Sequence, residues 1–92
     1  MTSPTDPEEI VQWLTGRLAE LLEMPVADID VTVPLDALGV TSMEEAVITG
    51  DLEARYGLVV PVADLRRHPT VESLGSYLAD LTPAASGPSA LR

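Results

Sequence analysis

No cysteine, lysine or phenylalanine occurs in the 92 residues, and histidine occurs once, at His68. Each absence removes a kind of chemistry. Without cysteine there is neither a disulfide nor a side-chain thiol, so any thiol the protein uses has to be borrowed. His68 and three aromatic residues, Trp13, Tyr56 and Tyr77, leave few candidates for nucleophile, general base or metal ligand. A chain of this size buries only about 60% of its unfolded surface or slightly more, which makes a deep multi-residue active site hard to build. An autonomous enzyme is not expected, nor a metal site.

Positive charge is also scarce. Five arginines stand against fifteen Asp and Glu, for a formal net charge of -10. Such a surface repels nucleic acid. The acidity either keeps a chain that is 46% apolar in solution or docks it onto basic partner surfaces. Long apolar runs are missing as well: the charge-free stretch 56–63 is far too short to span a bilayer, and the first residues lack a basic and apolar leader pattern. A soluble, cytoplasmic, monomeric protein without a membrane partner is expected. Met1 and the two polar ends suggest a free-standing protein, although an excised domain would look the same.

What is present is helical periodicity. Residues 1–5 read as a tail. Asp6, Pro7 and Glu9 form a capping-box-like start for a first helix to about residue 23, with an apolar stripe of Ile10, Val11, Leu14, Leu18, Leu21 and Leu22. Trp13 is expected at the margin of that stripe, under the Arg17 guanidinium, rather than in a ligand pocket. Residues 24–41 form a long connection. Ile29, Val31 and Val33 alternate like a strand, but the run 58–60 is the one comparable segment and it stops at Pro61, so a packed loop is the better reading. Val26, Ile29, Val33, Leu35 and Leu38 are expected to cover the bundle, with one helical turn at 35–38 closed by Gly39.

A second helix is predicted from Ser42 to Tyr56, ended by Arg55 and Gly57, with Met43, Ala46, Thr49, Leu52 and Tyr56 facing inward and Ile48 beside them. The spacing leaves Glu44, Glu45, Val47, Asp51 and Glu53 outside, and Gly50 is either a close-approach point or drift. Pro61 opens a short third helix to about Arg67, and Thr70 caps a fourth to about Leu81 with Val71, Leu74, Tyr77, Leu78 and Leu81 as its stripe. His68 reads as a turn residue, and Arg66 and Arg67 as solvated charges or partners of Asp64 and the second helix's acids. Residues 82–92 read as tail or linker. The fold class is all-α, a bundle of three longer helices and one short one, over residues 6–81.

Ser42 carries the candidate chemistry. With Glu45 it forms a capping box, S-x-x-E, which is a purely structural role. Thr41 with Glu44 forms an equivalent box one step earlier, and if that one is used, the Ser42 hydroxyl is spare at the first helical position. A phosphate ester there would meet unpaired backbone amides and the positive end of the helix dipole. Glu8-Glu9 and Glu44-Glu45 are neighbours whose side chains diverge, so neither forms a catalytic carboxylate dyad.

Several segments together resemble the acyl carrier proteins, in particular the carrier domains of modular polyketide synthases. They are Ile29-Asp30, then Thr32-Val33-Pro34-Leu35-Asp36-Ala37-Leu38-Gly39-Val40, then Ser42-Met43; later come Leu52-Glu53-Ala54-Arg55-Tyr56-Gly57, Pro61 and His68-Pro69-Thr70-Val71-Glu72-Ser73-Leu74. The resemblance implies an acyl-carrier-type four-helix bundle with 4′-phosphopantetheine esterified to Ser42, taken from coenzyme A by a separate magnesium-dependent phosphopantetheinyl transferase. It implies acyl or polyketide intermediates carried as thioesters to a ketosynthase, an acyltransferase or other acyl-processing enzymes. Thr41, Met43, Glu44, Glu45, Val47, Asp51 and Glu53 are the implied docking residues. Thr41 stands where the family usually has Asp before the serine, and Val47 where a glutamate is common. The Gly-Gly before a His- or Asp-Ser step, usual in the related peptidyl carriers, is absent; the alternatives are an unmodified acidic helical interaction module of the same fold or a peptidyl or aminoacyl carrier.

Overall fold

A computed structural model describes residues 6–81; the expected tails at 1–5 and 82–92 lie outside the described residues. The first helix, α1 (Pro7–Leu22), starts where Asp6 accepts the Glu8 N–H at 3.0 Å and ends at Glu23, whose φ of 57° turns the chain into the left-handed region. Glu9 Oε1 is buried without a hydrogen-bond partner among the described residues, so this start is capped from Asp6 alone.

After a short 3₁₀ turn at Val26–Asp28, the alternating segment that mimics a strand is folded into a turn. Asp30 Oδ1 accepts both the Thr32 N–H (3.0 Å) and the Thr32 hydroxyl (2.7 Å), and the Val33 N–H reaches the Asp30 carbonyl at 3.2 Å. These local bonds occupy the groups a ladder would need. The same two contacts, the hydroxyl first, hold the Asp30 carboxyl below its ordinary pKa. The connection is then pinned to the far end of the chain. Glu72 N–H donates to the Val31 carbonyl at 3.0 Å, Leu35 N–H donates to the Pro69 carbonyl at 2.7 Å, and Pro34 and Thr70 form an isolated antiparallel bridge.

The one-turn α2 (Leu35–Leu38) is closed by Gly39 at φ 108°, a conformation that glycine adopts without strain. The second long helix, α3 (Ser42–Tyr56), ends at Gly57, φ 70°. A short α4 (Val62–Arg67) follows Pro61, and α5 (Val71–Leu81) completes the bundle. Thr70 caps α5 reciprocally: its hydroxyl oxygen accepts the Ser73 N–H at 3.0 Å, while its own N–H donates to Ser73 Oγ at 3.2 Å. Three long helices, one short one and the anticipated turn at 35–38 give the four-helix bundle expected.

The core is built from Ile10, Leu14 and Leu18 of α1, Ile48 and Leu52 of α3, Leu65 of α4, and Val71, Leu74 and Leu78 of α5. Ile29, Leu35, Val40, Leu58 and Val60 close it from the connections. The packing of α1 on α5 is tight at Gly75, where an added methyl group would collide with Val11 Cγ2. Gly50, in contrast, faces open space, so it marks no close helix approach.

Four packing expectations are corrected, one being Leu81, which is exposed at the end of α5 and not part of its buried stripe. Met43 (72% exposed) and Ala46 lie outside, because the buried stripe of α3 runs through Ile48 (3% exposed) and Leu52 and its first turn is held by Glu45 instead. Val26 is exposed on the 3₁₀ turn and covers nothing. The cation beside Trp13 is Arg55, 5.8 Å from the ring, while Arg17 turns to Asp51 and Glu20; Trp13 itself meets the Tyr56 ring edge-on at 5.7 Å.

Candidate functional site

Thr41 and Ser42 are distinguished by which of them begins the helix. Thr41 is the N-cap, with an extended φ of -105°, and Ser42 is the first helical residue. Glu44 reaches back to close a capping box: its Oε1 accepts the Thr41 N–H at 2.8 Å and also the Thr41 hydroxyl. Those two contacts, the hydroxyl first, hold the Glu44 carboxyl below its ordinary pKa. The alternative box between Ser42 and Glu45 is not made, because Glu45 points to α4, where its Oε1 accepts from Arg66 Nη2 at 3.0 Å. That leaves the Ser42 hydroxyl exposed and without a hydrogen bond to any other described residue. It stands at the positive end of α3, beside first-turn amides that have no carbonyl within the helix.

A cleft of about 370 Å³ opens beside Ser42, between α2, the start of α3, and α4. Leu35, Val40 and Leu65 supply its apolar surface, and Asp36, Glu45 and Arg66 are its charged groups. The core behind it is closely packed. The gap of about 10 Å³ that shares Leu35, Val40 and Leu65 with the cleft is lined wholly by apolar side chains, with α1, α3 and α5 supplying the rest.

The residues expected to dock partners spread over α3 with unequal freedom. Met43, Glu53 and Thr41 are exposed, and Val47 is half-buried. Asp51 is bound to Arg17 of α1. Glu45, its side chain 14% exposed, is bound to Arg66, and Glu44 belongs to the capping box. Away from this end, Asp64 is buried and accepts from the Tyr77 hydroxyl at 2.8 Å and from Arg67, while His68 stacks on the Tyr77 ring at 4.1 Å. No group of three or more His, Cys, Asp or Glu among the described residues is placed to hold a metal ion, and no described helix is long and apolar enough to cross a membrane.

Two features of the site went unread in the sequence. Val40 is buried and lines the cleft; its position just before the N-cap, where an apolar residue fixes the entry of the chain into a helix, is the signal that would have found it. The nearness of Leu65 and Pro69 to Ser42 depends on the tertiary fold and has no local signal, whereas Arg66, read as a possible partner of the second helix's acids, does pair with Glu45.

The helical bundle thus presents an exposed, unengaged hydroxyl at the head of its second long helix. The family model described as "Phosphopantetheine attachment site" matches residues 12–78, and the chain belongs to that family. It is an acyl carrier whose cofactor is covalently held 4′-phosphopantetheine. Such carriers are generally non-catalytic and work by meeting acyl-processing enzymes. Similar proteins include a component of the phenolphthiocerol/phthiocerol polyketide synthase of Mycobacterium tuberculosis, 29% identical over 84 residues that are 91% of this chain. The chain spans 4% of that component's length. The acyl carrier protein TtuC of Teredinibacter turnerae is 25% identical over 72 residues, 78% of this chain and 83% of that one. Among solved structures, the HMG-ACPI domain from the CurA module of Lyngbya majuscula superposes with a TM-score of 0.79 at 26% identity, over 92% of this chain and 89% of that one. The residues at the head of α3 fit the group: an exposed, unengaged hydroxyl, an arginine and an open cleft lie together.

Proposed function

We propose that Ser42 is the attachment residue and that the chain carries acyl intermediates of polyketide type as thioesters to a ketosynthase, an acyltransferase or related enzymes. The observation that carries this reading is the unengaged Ser42 hydroxyl: Thr41 and Glu44 cap the helix between them, so modifying Ser42 breaks no structural hydrogen bond. The similarity to an acyl carrier protein and to part of a polyketide synthase supports the substrate class.

In the modification, a phosphopantetheinyl transferase supplies the general base that takes the Ser42 proton. The Oγ–P bond forms as a P–O bond of coenzyme A breaks, and the rest of coenzyme A leaves with that electron pair. The attached group then supplies the thiol that a sequence without cysteine cannot. The role of this chain is presentation. The rigid capping box fixes where the arm begins, and tethering raises the substrate's effective concentration at each partner in turn. Exposed Met43 and Glu53, with Thr41 and Val47 nearby, form the docking face; Glu44, Glu45 and Asp51 contribute to its negative field while also serving the fold. We place this chemistry in the cytoplasm, where coenzyme A is at hand.

Incubation with coenzyme A, magnesium and a broad-specificity transferase tests the reading by intact mass. The wild type gains one phosphopantetheine and Ser42→Ala gains none. An equal gain in both contradicts Ser42 as the attachment residue, and no gain with the host's own transferase contradicts the carrier reading and favours an unmodified acidic interaction module.

A further inference from the structure

We infer that Arg66 is a positioning residue for the attached group: its guanidinium engages the phosphodiester on Ser42 and holds the base of the arm at the cleft between α3 and α4. This rests on Ser42 being the attachment residue. Arg66 is the one cation among the residues that line the cleft with Ser42, and its side chain is 64% exposed there. One donor, Nη2, is given to Glu45 Oε1 at 3.0 Å, and among the described residues its remaining N–H groups have no partner. A guanidinium carries five donors in a fixed planar fork, so it can keep a carboxylate on one edge and take phosphate oxygens on the other.

The surroundings give this arrangement a reason. A phosphodiester on Ser42 adds a negative charge to an end of the molecule that already holds Asp36, Glu44 and Glu45. Arg66 is the group placed to offset that repulsion. Glu45 in turn aims the arginine: the carboxylate is largely buried and its hydrogen bond keeps the Arg66 guanidinium above its already high pKa, so the charge is constant at every physiological pH. The other arginines among the described residues are committed elsewhere. Arg17 is held by Asp51 and Glu20, Arg67 by Asp64, and Arg55 lies over Trp13 and Tyr56.

The test is the phosphorus-31 resonance of the modified protein, compared among wild type, Arg66→Gln, Arg66→Lys and Arg67→Gln. Each sample is first shown by mass to carry the group and by circular dichroism to be folded. The resonance of Arg66→Gln is expected to shift away from wild type, that of Arg66→Lys to lie between them, and that of Arg67→Gln to stay at the wild-type position. Raising sodium chloride should move the wild-type resonance toward that of Arg66→Gln, because the contact is exposed and screened. Glu45→Gln, which frees the guanidinium without removing it, keeps a resonance distinct from Arg66→Gln. Superimposable resonances of wild type and Arg66→Gln overturn the inference while leaving Ser42 as the attachment residue. An equal shift in Arg67→Gln overturns it too, by showing a general charge effect. Failure of the wild type to accept the group removes the premise, and the inference falls with it.

Discussion

Thr41 and Ser42 are both favoured at helix starts, and the structure separates them through what their partners do: Glu44 turns back to Thr41, while Glu45 turns away to Arg66. If this division is what frees Ser42, Thr41→Ala should lower stability by about 1 kcal/mol, the usual cost of losing an N-cap hydroxyl. It should also slow modification, because the S-x-x-E box of Ser42 and Glu45 becomes the next available cap. Thr41→Asp keeps a good cap and should be modified at least as fast as wild type. Urea unfolding together with timed intact mass measures both effects. Glu44 gives the pH dependence of the same box. Its carboxyl is lowered from the ordinary value of 4.5, so its contribution is complete above that value and is lost as pH falls through the depressed folded value. Urea midpoints followed down through about pH 4 should therefore fall less steeply in Glu44→Gln than in wild type.

The ends of the helices were legible because they are written locally: Asp6 and Pro7, Thr41 before Ser42, Gly57 after Tyr56, and Thr70 with Ser73 all act within a few residues. The facing of α3 was not. Leu52, with Ile48 beside it, is buried as its spacing implied, but Met43 and Ala46, which carry an equally acceptable inward spacing, are exposed, because the first turn packs through contacts from other elements such as Arg66 with Glu45. The cleft beside Ser42 was illegible for the same reason, and spacing alone left two capping boxes open, of which the structure makes the one between Thr41 and Glu44. Gly50 and Gly75 make a test at this scale. Gly50→Ala should stabilise α3 by about 1 kcal/mol, since the added methyl meets nothing and helix propensity improves. Gly75→Ala gains the same propensity but overpacks the α1–α5 contact, which costs about 1–3 kcal/mol, so it should be neutral or destabilising. In a Val11→Ala background the Gly75→Ala change should turn favourable. Thermal and urea unfolding of the two single glycine variants, of Val11→Ala and of the Val11→Ala, Gly75→Ala double variant decide the matter; a stabilising Gly75→Ala in the wild-type background would show that α1 and α5 are further apart than described.

For the whole molecule, a net charge of -10 with five arginines makes association with partners a matter of long-range field as well as contact. Reversing charge at Glu45 or Asp51 confounds two effects, because each is also bonded to an arginine of another helix. Glu53 is exposed, with no side-chain partner among the described residues, and offers the cleaner probe. Glu53→Arg should slow acyl transfer to a partner enzyme, the difference shrinking as salt is raised, with the urea midpoint little changed. A slowing that ignores salt would point to lost contact instead. The central claim is narrower and tested more directly by fragmenting the modified wild-type protein and reading which residue holds the added mass. The adduct is expected on Ser42 alone, with Thr41 unmodified; an adduct on Thr41, or one spread over both residues, would contradict the division of roles that the head of α3 displays.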